Sequence, residues 1–210
     1  MAASRKAWTT ALDLPEGSDA ALVHAKVADR AAWIIKQQRQ FQRYLPDVPP
    51  RQYVSGENHR YLGRQYRLRI EVAPADNVSI TRQFLFVATA DHRPAHVRGL
   101  VDAWYQARAR EVFQARLQAC HANLARFGIQ MPALFIRPLT SSWGTCSAKG
   151  TITLNIKLIQ VPLEYIDYVL IHELCHLQHL SHGPEFYKLL TRALPEWETR
   201  REKLNSFDFG

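Results

Sequence analysis

Apolar positions recur along this chain at two different periods, and the change of period organises it. Over residues 21–44, alanines and long side chains surround Val23, Val27, Ile34, Ile35 and Phe41, which predicts a helix of limited amphipathicity ended by Pro46, Pro49 and Pro50. From Tyr53 to Ala90 no helical period is present. Residues 66–72 alternate Tyr66, Leu68, Ile70 and Val72 with Arg67, Arg69 and Glu71, residues 84–88 form an apolar run, and Pro74-Ala75-Asp76-Asn77 lies between them. Period two with turn residues between predicts a small antiparallel sheet.

After Pro94 the period changes. Val101, Trp104, Tyr105, Ala109, Val112, Phe113, Leu117, Cys120 and Leu124 recur at steps of one, three and four, predicting a long amphipathic helix that stops at Gly128. Strands are expected near residues 133–137 and 151–156, joined by a polar turn containing Gly144 and Gly150. Pro162 then opens another helix, a position where proline is tolerated. Its core face reads Leu163, Ile166, Leu170, Leu174 and Leu177, and a last helical segment near Pro184 carries Phe186, Leu189 and Leu190.

Composition narrows the class. The 210 residues hold enough apolar side chains for one substantial core, and no apolar run approaches the ~20 residues of a membrane span. The first residues carry Arg5 and Lys6 without an apolar stretch, so no secretory leader is expected there. Three cysteines, Cys120, Cys146 and Cys175, include no CxxC pair, which argues against a disulfide framework and fits a cytoplasmic, reducing setting. The net charge of +8 is compatible with nucleic-acid contact, but the basic residues are dispersed. The densest group, Arg60, Arg64, Arg67 and Arg69, reads as solvated surface charge.

The chemistry concentrates at His172-Glu173-Leu174-Cys175-His176, an HExxH string. Residues four apart project from one helix face, so both imidazoles can reach one ion. Glu173 lies about 100° round the helix from His172, placed to meet the water that a bound metal activates. Catalytic zinc needs a third protein ligand and an open position. Of the two nearby candidates, His182 is favoured over His179, because Gly183-Pro184 can turn the backbone towards the metal, whereas three imidazoles in line on a straight helix converge poorly. Cys175 points away from the pair and reads as a packed thiol.

Residues 172–186, HELCHLQHLSHGPEF, resemble the YgjP-like metallopeptidase family, itself close to the SprT-like and WLM-type zinc proteases. Ser142-Trp143-Gly144-Thr145-Cys146-Ser147, running into Ile152, Leu154 and Asn155, looks like the family's Trp-Gly-Ser-Cys signature, with Thr145 in place of the usual serine. Residues 53–57 with 61–64 resemble its N-terminal β region. The resemblance implies a zinc ion (Zn2+) held by His172, His176 and His182, with Glu173 as the catalytic base. Trp143 and Cys146 read as a buried turn beneath the sheet, and Asn155 either orients substrate or ties the next loop.

The expected fold is α+β: a zincin-like catalytic domain over residues 95–210 with an HExxH active-site helix and a small sheet. A helix and antiparallel β region over 21–94 precede it, behind a flexible stretch at 1–20. The expected function is zinc-dependent hydrolysis, first of all of peptide bonds in unstructured or extended polypeptides, laid along residues 151–156 as an exposed edge strand. Two alternatives share the site: a metal-dependent nucleotide triphosphate pyrophosphatase, and a DNA-associated protein whose zinc is structural. The oligomeric state is not legible.

Overall fold

The structure is a computed structural model and describes residues 51–147 and 149–207. All described residues fall in one compact unit, Pro49–Gly210, so the flexible stretch expected at 1–20 and the helix expected over 21–44 lie outside them.

The alternating region forms four strands. β1 (Asn58–Tyr61) and β2 (Arg64–Val72) make a hairpin through Leu62-Gly63, both with positive φ (47° and 80°), as a two-residue turn between twisted strands requires. β3 (Asn77–Thr81) and β4 (Phe84–Thr89) make a second hairpin. The sheet order is β1-β2-β4-β3, and its central pair is parallel, with Arg67 opposite Phe84 and Val72 opposite Thr89. The region is therefore mixed, not antiparallel as expected. β2 and β4 carry the deeply buried Leu68, Leu85 and Val87, whereas β3 buries no residue fully. The two most apolar strands take the middle, and β3 is left at the edge. On the outer face Arg69 pairs with Glu71 and lies over the Phe84 and Phe86 rings, while Arg64, Arg67 and Arg69 are exposed.

The inner side of this unit is dominated by α1 (Pro94–Leu124). Val97, Val101, Tyr105, Ala109, Phe113, Leu117, Cys120 and Leu124 form its buried stripe, at steps of four and three. A 3₁₀ turn (Ala125–Phe127) and Gly128 at φ 78° end it. β5 (Ala133–Arg137), β6 (Gly144–Cys146) and β7 (Thr151–Asn155) form a second sheet in the order β5-β7-β6. β7 runs parallel to β5 and antiparallel to β6, with Ile152 and Leu154 wholly buried. Residues 151–155 are thus the centre of the sheet, and among the described residues the edge expected there belongs to β6.

A 3₁₀ turn (Ile156–Gln160) leads into α2 (Leu163–His176), followed by α3 (Pro184–Ala193) and α4 (Trp197–Asn205). Two devices hold α2. Arg116 on α1 donates two 2.7 Å bonds to Asp167 on α2, a bidentate pairing. The β1–β2 turn docks on the entry to α2 through Leu62 N–H to Ile159 O (2.9 Å) and Gly63 N–H to Gln160 O (3.0 Å). A Cβ at Gly63 would stand 2.7 Å from Pro162 Cγ, so only glycine allows this approach. Among the described residues no helix is long and apolar enough to cross a membrane.

His59 on β1 is 1 % exposed between Tyr53 and Tyr105. Burial, reinforced by the Arg51 guanidinium, lowers its pKa to about 4, so its 3.7 Å approach to Glu57 is no ion pair at neutral pH. The unfolded polypeptide takes up this proton near pH 6.5, before the folded one does. Stability is therefore complete above pH 6.5 and falls as the pH drops towards 4, by about 3 kcal/mol in all. Thermal melts between pH 7.5 and 4 should show this slope, and His59→Gln should flatten it.

Candidate metal centre

α2 presents its histidines because its other face is committed to the core. Ile166, Leu170 and Leu174 are fully buried, although Leu163 at the first turn remains exposed. His172 and His176, one turn apart, leave the core on the same side. The helix ends at His176, and His182 follows at the centre of a γ-turn closed by Gly183 N–H to Ser181 O at 2.8 Å. Pro184 then starts α3.

The three imidazoles meet through their Nε2 atoms: 3.2 Å from His172 to His176, 3.1 Å from His176 to His182, and 3.0 Å from His182 to His172. Zinc–nitrogen bonds of 2.0–2.1 Å in a tetrahedron set ligand nitrogens about 3.4 Å apart, so the donor set fits one zinc ion with small adjustment. His176 Nδ1 lies 3.0 Å from His179 O. Donation of its N–H to that carbonyl leaves Nε2 with its lone pair free for a metal. Burial, then the charges of His176 and His182, lowers the His172 pKa to about 3, and burial followed by His176 lowers that of His182. His172 and His182 are neutral at pH 7.

These distances correct the fold-class expectation of a zincin-like domain whose site is an HExxH pair on one helix. The site is a three-histidine cluster. The helix pair supplies two nitrogens, which cannot enclose an ion, and the third comes from the loop beyond the helix. His179 contributes a backbone carbonyl to this group. The fold itself is α+β, with a β-sheet region preceding a helical zinc-binding site.

Glu173 is 6 % exposed, and burial raises its carboxyl pKa to about 7. It faces β6: a Cβ on Gly144 would lie 2.9 Å from Glu173 Oε1 and 3.0 Å from Val169 Cγ1. The absent side chain at Gly144 is the room in which the carboxylate stands.

A family model described as the YgjP-like, metallopeptidase domain matches residues 5–207. The chain belongs to that family. It is accordingly a metallopeptidase-type hydrolase, and zinc is the metal consistent with its three-histidine site. Among solved structures it is similar to the metallopeptidase zymogen abylysin of Pyrococcus abyssi, with 31% identity over 44% of this protein and 90% of that one, at a TM-score of 0.40. No curated protein matches it.

Other residues of the YgjP-like domain acquire definite surroundings. Asn155 is 3 % exposed and fully bonded: its amide nitrogen donates to Leu139 O (2.9 Å) and Ser142 O (3.0 Å), and its oxygen accepts from Lys157 N (3.1 Å). It ties down the loop before β6. Cys146 is half-buried, with burial and then the Glu173 charge raising its thiol pKa. Trp143 packs against the core, and Cys175 is wholly buried.

Phe186, which the sequence marks only as a helix core residue, has a larger part. It is wholly buried, and its ring centre lies 5.0, 4.5 and 4.8 Å from those of His172, His176 and His182. One side chain therefore floors all three imidazoles. The signal for this in the sequence is its place two residues after Pro184, one turn beyond the third histidine.

Phe186→Ala should cost about 3–5 kcal/mol in thermal or denaturant unfolding, and zinc affinity in a competition titration should fall about tenfold or more. Gly144→Ala should displace the Glu173 carboxylate. Its hydrolytic rate should drop about 100-fold while zinc stoichiometry, read by mass spectrometry, stays at one.

Proposed function

We propose that this protein is a zinc peptidase that cleaves extended or unstructured polypeptides, with His172, His176 and His182 as metal ligands and Glu173 as general base. The observation that carries this reading is the triangle of three imidazole nitrogens beside a buried carboxylate that has no ion-pair partner among the described residues. Zinc bound there supplies Lewis-acid polarisation of the scissile carbonyl and lowers the pKa of water. A positive charge beside Glu173 favours its ionised form against the effect of burial. Glu173 then accepts the proton of the attacking water and delivers it to the leaving nitrogen, which departs as the amine.

β6 supports the same reading. Asn155 N–H reaches Trp143 O and Ser147 N–H reaches Thr151 O, so Trp143, Thr145 and Ser147 face β7 with their peptide groups. By alternation Gly144 and Cys146 turn theirs to the free edge. An extended substrate can pair there by strand addition, directly beside Glu173. The three free cysteines, two of them buried, suit a cytoplasmic setting.

Loaded with zinc, the protein should cleave an unstructured protein such as casein, and Glu173→Gln should lower kcat by about 10²–10⁴-fold with zinc still bound. A chelator should abolish cleavage and zinc should restore it. Hydrolysis of nucleoside triphosphates that is lost in Glu173→Gln, with casein untouched, would overturn the peptidase reading.

A further inference from the structure

A cavity of about 250 Å³ opens beside the histidines, lined by Tyr168, His172, His182, Tyr187, Trp197 and Arg201. Two of these are metal-ligand candidates, so a substrate residue next to the cleaved bond reaches the cavity without leaving the site. Its volume suits one side chain rather than a drug-sized ligand. The wall is fixed: Tyr187 stacks on Trp197 at 5.4 Å and 28°, and the buried indole donates to Thr191 Oγ1 at 3.0 Å. Tyr168 is buried one turn before His172, its ring 5.9 Å from that imidazole, and its hydroxyl has no hydrogen-bond partner among the described residues.

Among the described residues that line this cavity Arg201 is the cation, and none is a carboxylate. Its neighbour Arg200 pairs with Glu196, whereas among the described residues no acidic group pairs with Arg201. Its charge is nonetheless felt at Tyr168, His172 and His182. A guanidinium presents a planar fork of donors matched to a carboxylate, and the phenol of Tyr168 adds another donor.

We propose that this cavity is a carboxylate-recognising subsite with Arg201 as its anchor, so that the enzyme prefers substrates bearing a carboxylate next to the scissile bond. This rests on the peptidase reading given above. The carboxylate has two sources, an acidic side chain or the free carboxy terminus of a peptide.

The test uses two pairs of peptides with the zinc-loaded full-length protein. One pair differs only in Glu or Gln beside the scissile bond, and the other only in a C-terminal acid or amide. The carboxylate member of one pair should show a kcat/KM about tenfold higher, and that pair identifies the source. Arg201→Met should bring that ratio close to one, and Arg201→Glu should invert it towards a Lys-bearing peptide, with zinc content unchanged by mass spectrometry. Equal rates within both pairs, or an equal loss on all peptides in Arg201→Met, would overturn the subsite while leaving the peptidase reading intact. If no peptide is cleaved, calorimetry with N-acetylglutamate and its diamide, N-acetylglutaminamide, which carries no carboxylate, decides the matter separately. Glutamate binding that Arg201→Met abolishes supports the subsite, and equal or absent binding of both overturns it.

Discussion

Three imidazole nitrogens held 3.0–3.2 Å apart are a constraint that the rest of the domain has to satisfy. Their lone pairs repel one another, and a divalent cation is what turns that repulsion into attraction. The cost of assembling them is met by packing around the cluster. Phe186 touches all three rings, the His179 carbonyl fixes the His176 tautomer, and a γ-turn sets His182. α2, which carries two of the three, is held in turn by Arg116 from α1 and by the β1–β2 hairpin at its entry. A site with a tolerance of tenths of an ångström is thereby supported from one sheet and two other helices.

Burial sets the character of the groups that gather there. It keeps His172 and His182 neutral and therefore able to ligate, and it raises the Glu173 carboxyl pKa to about 7. The same close packing puts Glu173 and Val169 atoms within 3.0 Å of any Cβ at Gly144. The three imidazoles, the Glu173 carboxyl and the backbone beside it thus come from different elements, α2, the loop after it and β6, yet they crowd into one small volume.

What the sequence made legible follows from which features have a local signature. The strands at 64–72, 84–89 and 133–137 and the helix through Leu124 announce themselves by period, because burial on one face imposes a period. Pairing has no such signature. The parallel contact of β2 with β4, and the central place of β7, are decided by competition among strands for the core. β6 is hidden for a plainer reason: Gly144-Thr145-Cys146 is too short to show alternation and sits inside what reads as a polar turn. The HExxH string is legible as a helix pair and the Gly183-Pro184 turn singles out His182 over His179, but the exact position of that loop residue depends on the fold around it. Phe186 and Asn155 have the same limitation, since a ring beneath three imidazoles and an amide bridging two carbonyls leave no trace in spacing.

The brevity of β6 has its own consequence. An open strand edge is a template for any extended polypeptide, including another copy of the protein, and long flat edges invite fibrous association. Three residues span only about 10 Å, with two outward-facing peptide groups at most. On the proposed function such an edge holds a passing polypeptide in register for a single cut, yet it is too short to seed a growing sheet. The adhesive surface is then kept at the smallest size that still grips.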